Sequence, residues 1–280
     1  MKVCVWGCRG SIAAPGPDSV RYGGNTACVE VRLADGDLIV LDAGTGIRSL
    51  GLALMQQPPT RINLLLSHLH VDHLEGLGFF PPIWSPETEI HIWGPPSPIH
   101  TLAERISTYF SPPLFPLHLS EVPARLEFHD TPEGEWTIGA ARLYSHSILH
   151  PGATVGYRIE ADGRTLAYLT DHEPALVSDL RAAPPPWISG FSIASGADLL
   201  IHDCQYTAEE YSERVGWGHS STEHVAVLAE RAGVDRLLLY HHDPMRTDDQ
   251  LDKLGDDVGR RWGVDVDRCA VAREGMLVEV

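Results

Sequence analysis

Residues Ser67-His68-Leu69-His70-Val71-Asp72-His73 place three imidazoles and one carboxylate within six positions, directly after the apolar run Leu64-Leu65-Leu66. Neutral imidazole is the commonest protein ligand for zinc-like ions and aspartate adds anionic oxygen, so this density of donors suits one or two divalent metals. If a strand ends near Ser67, His68 and His70 leave the turning chain on one side. Asp72 and His73 then open the next helix and face a second position. The plainer alternative is a polar loop whose histidines are only solvated.

Donors need a frame, and five apolar runs supply one by each ending in a polar residue. Leu38-Ile39-Val40-Leu41 leads to Asp42, and Leu64-Leu65-Leu66 to His68. Leu166-Ala167-Tyr168-Leu169 leads to Asp171, Leu199-Leu200-Ile201 to His202 and Asp203, and Leu237-Leu238-Leu239-Tyr240 to His241. Each reads as a buried strand delivering chemistry at its C-terminal end, where loops of α/β proteins converge. Such strands need cover on both faces. The cover is legible as helices: a capping box at Ser220-Ser221-Thr222-Glu223 with a stop at Gly233, a short helix opened by Thr207-Ala208-Glu209-Glu210, and one from about Asp248 to Trp262 between Thr247 and Gly263. The first third reads as hairpins, with Val29 to Leu33 alternating before the turn Asp35-Gly36-Asp37. An α/β fold of mixed sheets with outer helices is expected. No internal repeat or linker breaks it, although 81–123 is rich in proline and aromatics and reads as an inserted segment, either a lid over the site or an excursion with its own small core.

With 280 residues, 43% of them hydrophobic, the chain can bury a sizeable core as one large domain or two fused halves. A net charge of −17, from 21 Lys+Arg against 38 Asp+Glu, disfavours long nucleic acids and anionic membranes. A small anionic substrate stays compatible, because metal ions invert the local sign. The five cysteines form no Cys-x-x-Cys pair and read as free thiols. The start is broken too soon by Gly7 and Arg9 to resemble a signal peptide, and no apolar run approaches the ~20 residues of a membrane span, so the expected location is the cytoplasm.

The order His68-x-His70-x-Asp72-His73, His150, Asp171, His241 resembles the metallo-β-lactamase superfamily over essentially the whole chain. The resemblance implies a four-layer αβ/βα sandwich of two mixed β-sheets with metals at one edge. It implies that His68, His70 and His150 hold one ion, Asp72, His73 and His241 the other, and that Asp171 bridges them. Two divalent ions follow, zinc first, with manganese or iron compatible with a shell of nitrogen and oxygen. His242 competes with His241 for the last ligand position, and His146 competes weakly with His150.

Finer features are similar to the phosphodiesterase branch that includes ribonuclease Z and the phosphoribosyl cyclic phosphodiesterase. They are His150-Pro151-Gly152 with Gly156-Tyr157, the segment Asp198 to Cys204, and Gly218-His219-Ser220. Arg9-Gly10-Ser11, Arg21 to Thr26 and His241-His242-Asp243-Pro244 look closer still to bacterial proteins described as class II cyclic-nucleotide phosphodiesterases. In that reading two ions activate a shared water, His219 at a helix N-terminus protonates the leaving alkoxide, and Asp203 orients its imidazole. Asp72 counts among both ligands and catalytic residues. Asp203 departs from ribonuclease Z, where glutamate is expected.

Asp42, in Asp42-Ala43-Gly44-Thr45-Gly46, resembles the superfamily's first motif and is expected behind the ligands or as a loop cap. His172 and Glu173, beside Asp171, are expected behind the ligands or, as the plainer reading, solvated, and Trp217 and Tyr22 to stack a base, to gate the site or simply to pack. No role falls to His91, His100, His118, His129, His202 or His224. The expected substrate is a small phosphodiester, a cyclic nucleotide first. Alternatives are hydrolysis of an ester, lactone or lactam, a metal-bearing carrier without turnover, and, disfavoured by charge and by the short stretch between Asp171 and Asp203, transfer-RNA 3′ processing. Relatives suggest a homodimer.

Overall fold

The computed structural model describes residues 1–176 and 179–280, whose strands form two seven-stranded sheets. In chain order the strands are β1 (Lys2–Gly7), β2 (Cys28–Arg32), β3 (Leu38–Leu41), β4 (Arg61–Leu65), β5 (Glu89–Gly94), β6 (Arg125–Asp130), β7 (Gly134–Ile138), β8 (Ala141–Ser147), β9 (Val155–Ala161), β10 (Arg164–Leu169), β11 (Leu199–Asp203), β12 (Arg236–Tyr240), β13 (Cys269–Val271) and β14 (Leu277–Glu279). The first sheet runs β14-β1-β2-β3-β4-β5-β6 and the second β13-β12-β11-β10-β9-β8-β7. Strands β3 to β6 are parallel, as are β10 to β13, and the other pairs are antiparallel, so both sheets are mixed as expected.

Between the sheets, Val5, Val29, Ile39 and Leu41 of the first meet Tyr157, Leu166, Tyr168 and Tyr240 of the second in one buried core. Helices α1 (Ile47–Leu54) and α2 (Leu102–Tyr109) belong to the outer face of the first sheet. The second is covered by α3 (Phe191–Ala194), α5 (Thr222–Ala232) and α6 (Asp248–Trp262), while α4 (Ala208–Tyr211) lies in the connection before α5. Cover on both faces explains the unbroken apolar runs: every residue of β3 and of β11 is buried. Each such leucine or isoleucine contributes roughly 1.5–3 kcal/mol. These four layers form the sandwich that the sequence implied. Among the described residues no helix is long and apolar enough to cross a membrane.

Local details refine the sequence reading. Thr207 and Thr247 form capping boxes with Glu210 and Gln250, and α6 stops at Gly263 as expected. For α5 the expected box is replaced by a single cap one residue on. Ser221 accepts from the His224 N–H at 3.3 Å, while Ser220 turns its hydroxyl to the His172 carbonyl at 2.5 Å. The helix expected to open at Asp72 is one 3-10 turn, Val71–His73. The stretch 81–123 supplies β5 and α2, and Phe110 and Phe115 pack in the outer core. Asp42, His68, Asp171, Asp203 and His241, from all five apolar runs, emerge together at the C-terminal ends of β3, β4, β10, β11 and β12.

Candidate metal centre

Two sets of donor atoms lie at that edge, each within 4.8 Å: His68, His70, His150 and Asp171, and Asp72, His73, Asp171 and His241. Asp171 belongs to both. Its Oδ1 lies 3.0 Å from Nε2 of His73 and of His241, and its Oδ2 lies 3.6 Å from His68 Nε2 and 3.7 Å from His150 Nε2. His70 Nδ1 is 3.2 Å from His150 Nε2, and the Nε2 atoms of His73 and His241 are 3.3 Å apart. Ligands 2.0–2.1 Å from one ion in tetrahedral array stand about 3.3 Å from each other, so these separations have the scale of shared coordination.

The chain fixes which nitrogen points inward. Asp42 accepts from Ser67 N–H at 2.7 Å, from Ser67 Oγ–H at 2.9 Å, from His73 Nδ1–H at 2.9 Å and from Tyr168 Oη–H at 2.7 Å. Ser67 Oγ, having given its proton to Asp42, accepts from His68 Nδ1–H at 3.0 Å. His150 Nδ1–H donates to the Gly218 carbonyl at 2.8 Å. In all three rings Nδ1 is thus engaged outside and Nε2 faces the centre, the orientation that groups hydrogen-bonded behind metal ligands impose. His68 Nε2 is buried there without a protein partner. Asp42 thus stands behind the donors, the first of its two expected roles.

The electrostatics ask for a cation at the same point. Burial opposes charge on His73, yet Asp171, Asp72 and Asp42 around it hold its pKa well above the usual histidine value. Burial alone would raise the pKa of Asp171, but His241, His73 and His68 hold it well below the carboxylate range. Burial pushes His68 and His150 down, keeping them neutral and able to donate lone pairs. Donor types, spacing and charge therefore fit a pair of divalent ions.

Backbone strain collects here too. Asp42, Asp171 and His241 have φ of 61°, 47° and 56°, and Ser11 has 64°, all in the left-handed region that side chains avoid. Such conformations cost of order 1–3 kcal/mol each and persist where the surroundings impose them.

Beside the two sets, His219 Nδ1–H donates to Asp203 Oδ2 at 2.6 Å, and its ring lies 5.1 Å from those of His150 and His241. Asp203, His219 and His241 also lie close enough to form a third donor cluster. Asp203, however, already accepts from the Gln205, Ser220 and His172 backbone amides at 3.0, 3.2 and 3.3 Å. A carboxylate so engaged suits orientation of His219 better than ligation. Burial lowers the His219 pKa, but the charge and hydrogen bond of Asp203, with Asp171 and Asp72 behind, push it up to about 9. Its Nε2 remains for the adjoining cleft, about 460 Å³, whose lining includes Ser11, Tyr206, Arg214, Trp217 and Met245.

The competing residues fall elsewhere. His242 is wholly buried, bonds the Ala272 carbonyl at 2.8 Å and is pushed down to about 3, mainly by burial. His146 is an exposed partner of Glu133. Tyr22 donates to Asp252 at 2.6 Å and packs edge-on against His242, whereas Trp217 is 60% exposed on the cleft.

Of the two places expected for His172 and Glu173, the solvated one, the plainer reading, is wrong, and both residues are buried behind the centre. His172 is fully buried with Nδ1 2.9 Å from His202 Nε2, and Glu173 is 1% exposed. The Glu173 carboxylate accepts from Gly216 and Gly218 N–H, both at 2.9 Å, and from Tyr211 Oη–H. It thereby holds the loop that presents the Gly218 carbonyl to His150 and leads into His219. Gly218 has φ 84°, and a Cβ there would lie 2.3 Å from His150 Nδ1, so only glycine fits. Glu173→Gln should leave the fold intact, weaken metal binding by about 10- to 100-fold and lower kcat; metal titration and initial rates check this.

Sequence reading also missed the segment Arg9-Gly10-Ser11 as part of the centre. Ser11 N–H donates to Asp72 Oδ2 at 2.7 Å, and a Cβ on Gly10 would lie 2.5 Å from the His241 ring. Fully buried Arg9 ties the segment down by bonding the Gly23 carbonyl at 2.8 Å and the Arg246 carbonyl at 2.7 Å.

A family profile described as β-lactamase superfamily domain matches residues 38–242. Ribonuclease Z of Mycobacterium sp. (strain KMS) is 27% identical over 251 residues, spanning 82% of this chain and 81% of that protein. The crystal structure of the metallo-β-lactamase fold protein YhfI from Bacillus subtilis superposes with a TM-score of 0.70 at 20% identity, covering 100% of this chain and 99% of that one. Human tRNase Z, short form, superposes at 0.65 with 18% identity, covering 100% and 99%. Both superpositions show the shared fold.

Proposed function

The chain belongs to the metallo-β-lactamase superfamily, and on that premise we propose that it is a binuclear metal-dependent phosphodiesterase for a small phosphodiester, a cyclic nucleotide first. The observation that carries this reading is the conjunction of two donor sets sharing Asp171 with a His219–Asp203 pair beside them. His68, His70 and His150 would hold one ion, Asp72, His73 and His241 the other, with Asp171 common to both. When bound, two divalent ions bring the pKa of a water toward about 7 and draw charge from phosphoryl oxygens, with zinc the first expectation and manganese or iron next.

The protein's own residues supply the rest. Asp203 holds His219 by Nδ1, leaving the Nε2 proton for the departing alkoxide. The Ser11 amide and the 3-10 turn at Val71–His73 keep Asp72 in place. Trp217 offers an exposed ring on which a planar base can stack, and Arg214, over the Tyr206 ring at 5.0 Å, places a cation on the same wall. A cleft of this volume suits a small molecule.

Relatives named ribonuclease Z support phosphodiester chemistry. The net charge of −17 argues against a transfer-RNA substrate here, since nucleic acids are gripped mainly by basic surface. The test is a panel on protein reconstituted separately with zinc, manganese and iron: 3′,5′- and 2′,3′-cyclic nucleotides, an aryl phosphodiester, a precursor tRNA, a lactone and a β-lactam. A cyclic nucleotide should exceed the lactone and lactam in kcat/KM by at least about 100-fold, a difference of about 2.7 kcal/mol in transition-state stabilisation. Faster turnover of the lactone or lactam would overturn the reading. So would full metal loading with no turnover, which identifies a carrier.

A further inference from the structure

Among the described residues one donor group lies outside the centre: His91, Glu127 and His129 on the neighbouring strands β5 and β6. We propose that these three side chains form a separate site for a single late first-row transition ion, of the zinc, nickel or copper(II) class. The inference does not rest on the phosphodiesterase reading.

Strands β5 and β6 are parallel, with His91 opposite Glu127 and Trp93 opposite His129. Alternation along β5 sends Ile90 and Ile92 into the outer core at 0% exposure and puts Glu89, His91 and Trp93 on the other face. His91 Nδ1 is 3.0 Å from His129 Nε2 and 3.5 Å from Glu127 Oε2. Those separations bracket the roughly 3.3 Å between tetrahedral ligands of one ion and repeat the scale of the main centre.

Both rings are held from behind. Glu89 accepts from His91 Nε2–H at 2.5 Å, which turns the Nδ1 lone pair toward the group, and Arg61 anchors Glu89 at 3.0 Å. Trp93 stacks on His129 at 4.2 Å and rests on Trp136 at 4.5 Å. The planes of the two imidazoles are parallel within 5°, and the rings share one N–H between their facing nitrogens. A divalent ion would take the place of that proton once the rings turn so that both lone pairs converge on it. His91 and Glu127 are partly exposed, so an ion can enter and water can complete the shell. β6 is the last strand of its sheet, and an ion there ties this edge to β5.

The test uses the full chain carrying His68→Ala and Asp171→Ala, dialysed against zinc chloride at about 10 µM free ion, with metal content and melting read together. The proposal expects about one zinc per chain, a higher Tm with zinc, and loss of both when His91→Ala and His129→Ala are added. Glu89→Gln should weaken the binding by about 10- to 100-fold. No zinc in the main-centre variant, zinc retained after both histidines are replaced, or binding only at millimolar ion would overturn it. Should the combined variant not fold, Glu127→Gln in the otherwise unchanged chain still decides: lower zinc content supports the site, and unchanged content and affinity refute it.

Discussion

Replacing His68 and Asp171 together by alanine should empty the main centre of metal and lower turnover by at least about three orders of magnitude, because Lewis-acid assistance supplies several kcal/mol of the barrier. Asp171 is the point of leverage. It is buried at 2% exposure, shared by both donor sets, and within 3.0 Å of Nε2 of two imidazoles, His73 and His241. Without it neither set keeps an anion common to both ions, and without His68 the first set loses its one buried nitrogen that has no other partner. The fold should persist, because the core between the sheets does not include either residue. Metal analysis after dialysis, with circular dichroism on the same sample, checks both halves; full metal content in the folded variant would refute the assignment.

His219→Ala should separate binding from chemistry. The variant should keep its metals and lose about 10²- to 10⁴-fold in kcat on a cyclic nucleotide, or about 2.7–5.4 kcal/mol. The separation follows from position: His219 Nδ1 is committed to Asp203 at 2.6 Å, and its ring stands beside His150 and His241 without belonging to either of the two donor sets that share Asp171. An aryl phosphodiester has a leaving group that departs without a proton, so it should lose much less. Equal losses on both substrates would assign His219 to positioning, and unchanged turnover would remove it from the mechanism.

Much of the frame was legible because the physics that builds it acts locally. Apolar runs such as Leu38 to Leu41 are unbroken because both faces of β3 are covered, and each run delivers its polar residue to the same edge. The cluster from His68 to His73 stood out because its donors are contiguous. His150, Asp171 and His241 are scattered and entered through the family's motif order; the structure brings them to the cluster.

What stayed hidden depends on backbone partners or on register. Glu173 sits in a polar string, where solvation is the plainer of its two readings, but its partners are amides of a loop more than forty residues away. Ser11 contributes an N–H, which any residue except proline carries, and Gly10 contributes the absence of a Cβ. Ser220 looked like part of a helix cap because the spacing fits one, whereas its hydroxyl serves the His172 carbonyl. His91 and His129 are solitary in the sequence and meet only through the parallel pairing of β5 with β6.

His68, His70 and His150 with Asp171, and Asp72, His73 and His241 with the same Asp171, are each expected to hold one cation. Anomalous diffraction at the metal absorption edge from crystals of metal-loaded protein tests this assignment directly. Two peaks about 3.5–4 Å apart are expected beside the Asp171 carboxylate, whatever is found beside His91. Density for a single ion that misses Asp171, or no peak between these side chains in protein that turns over substrate, would contradict it.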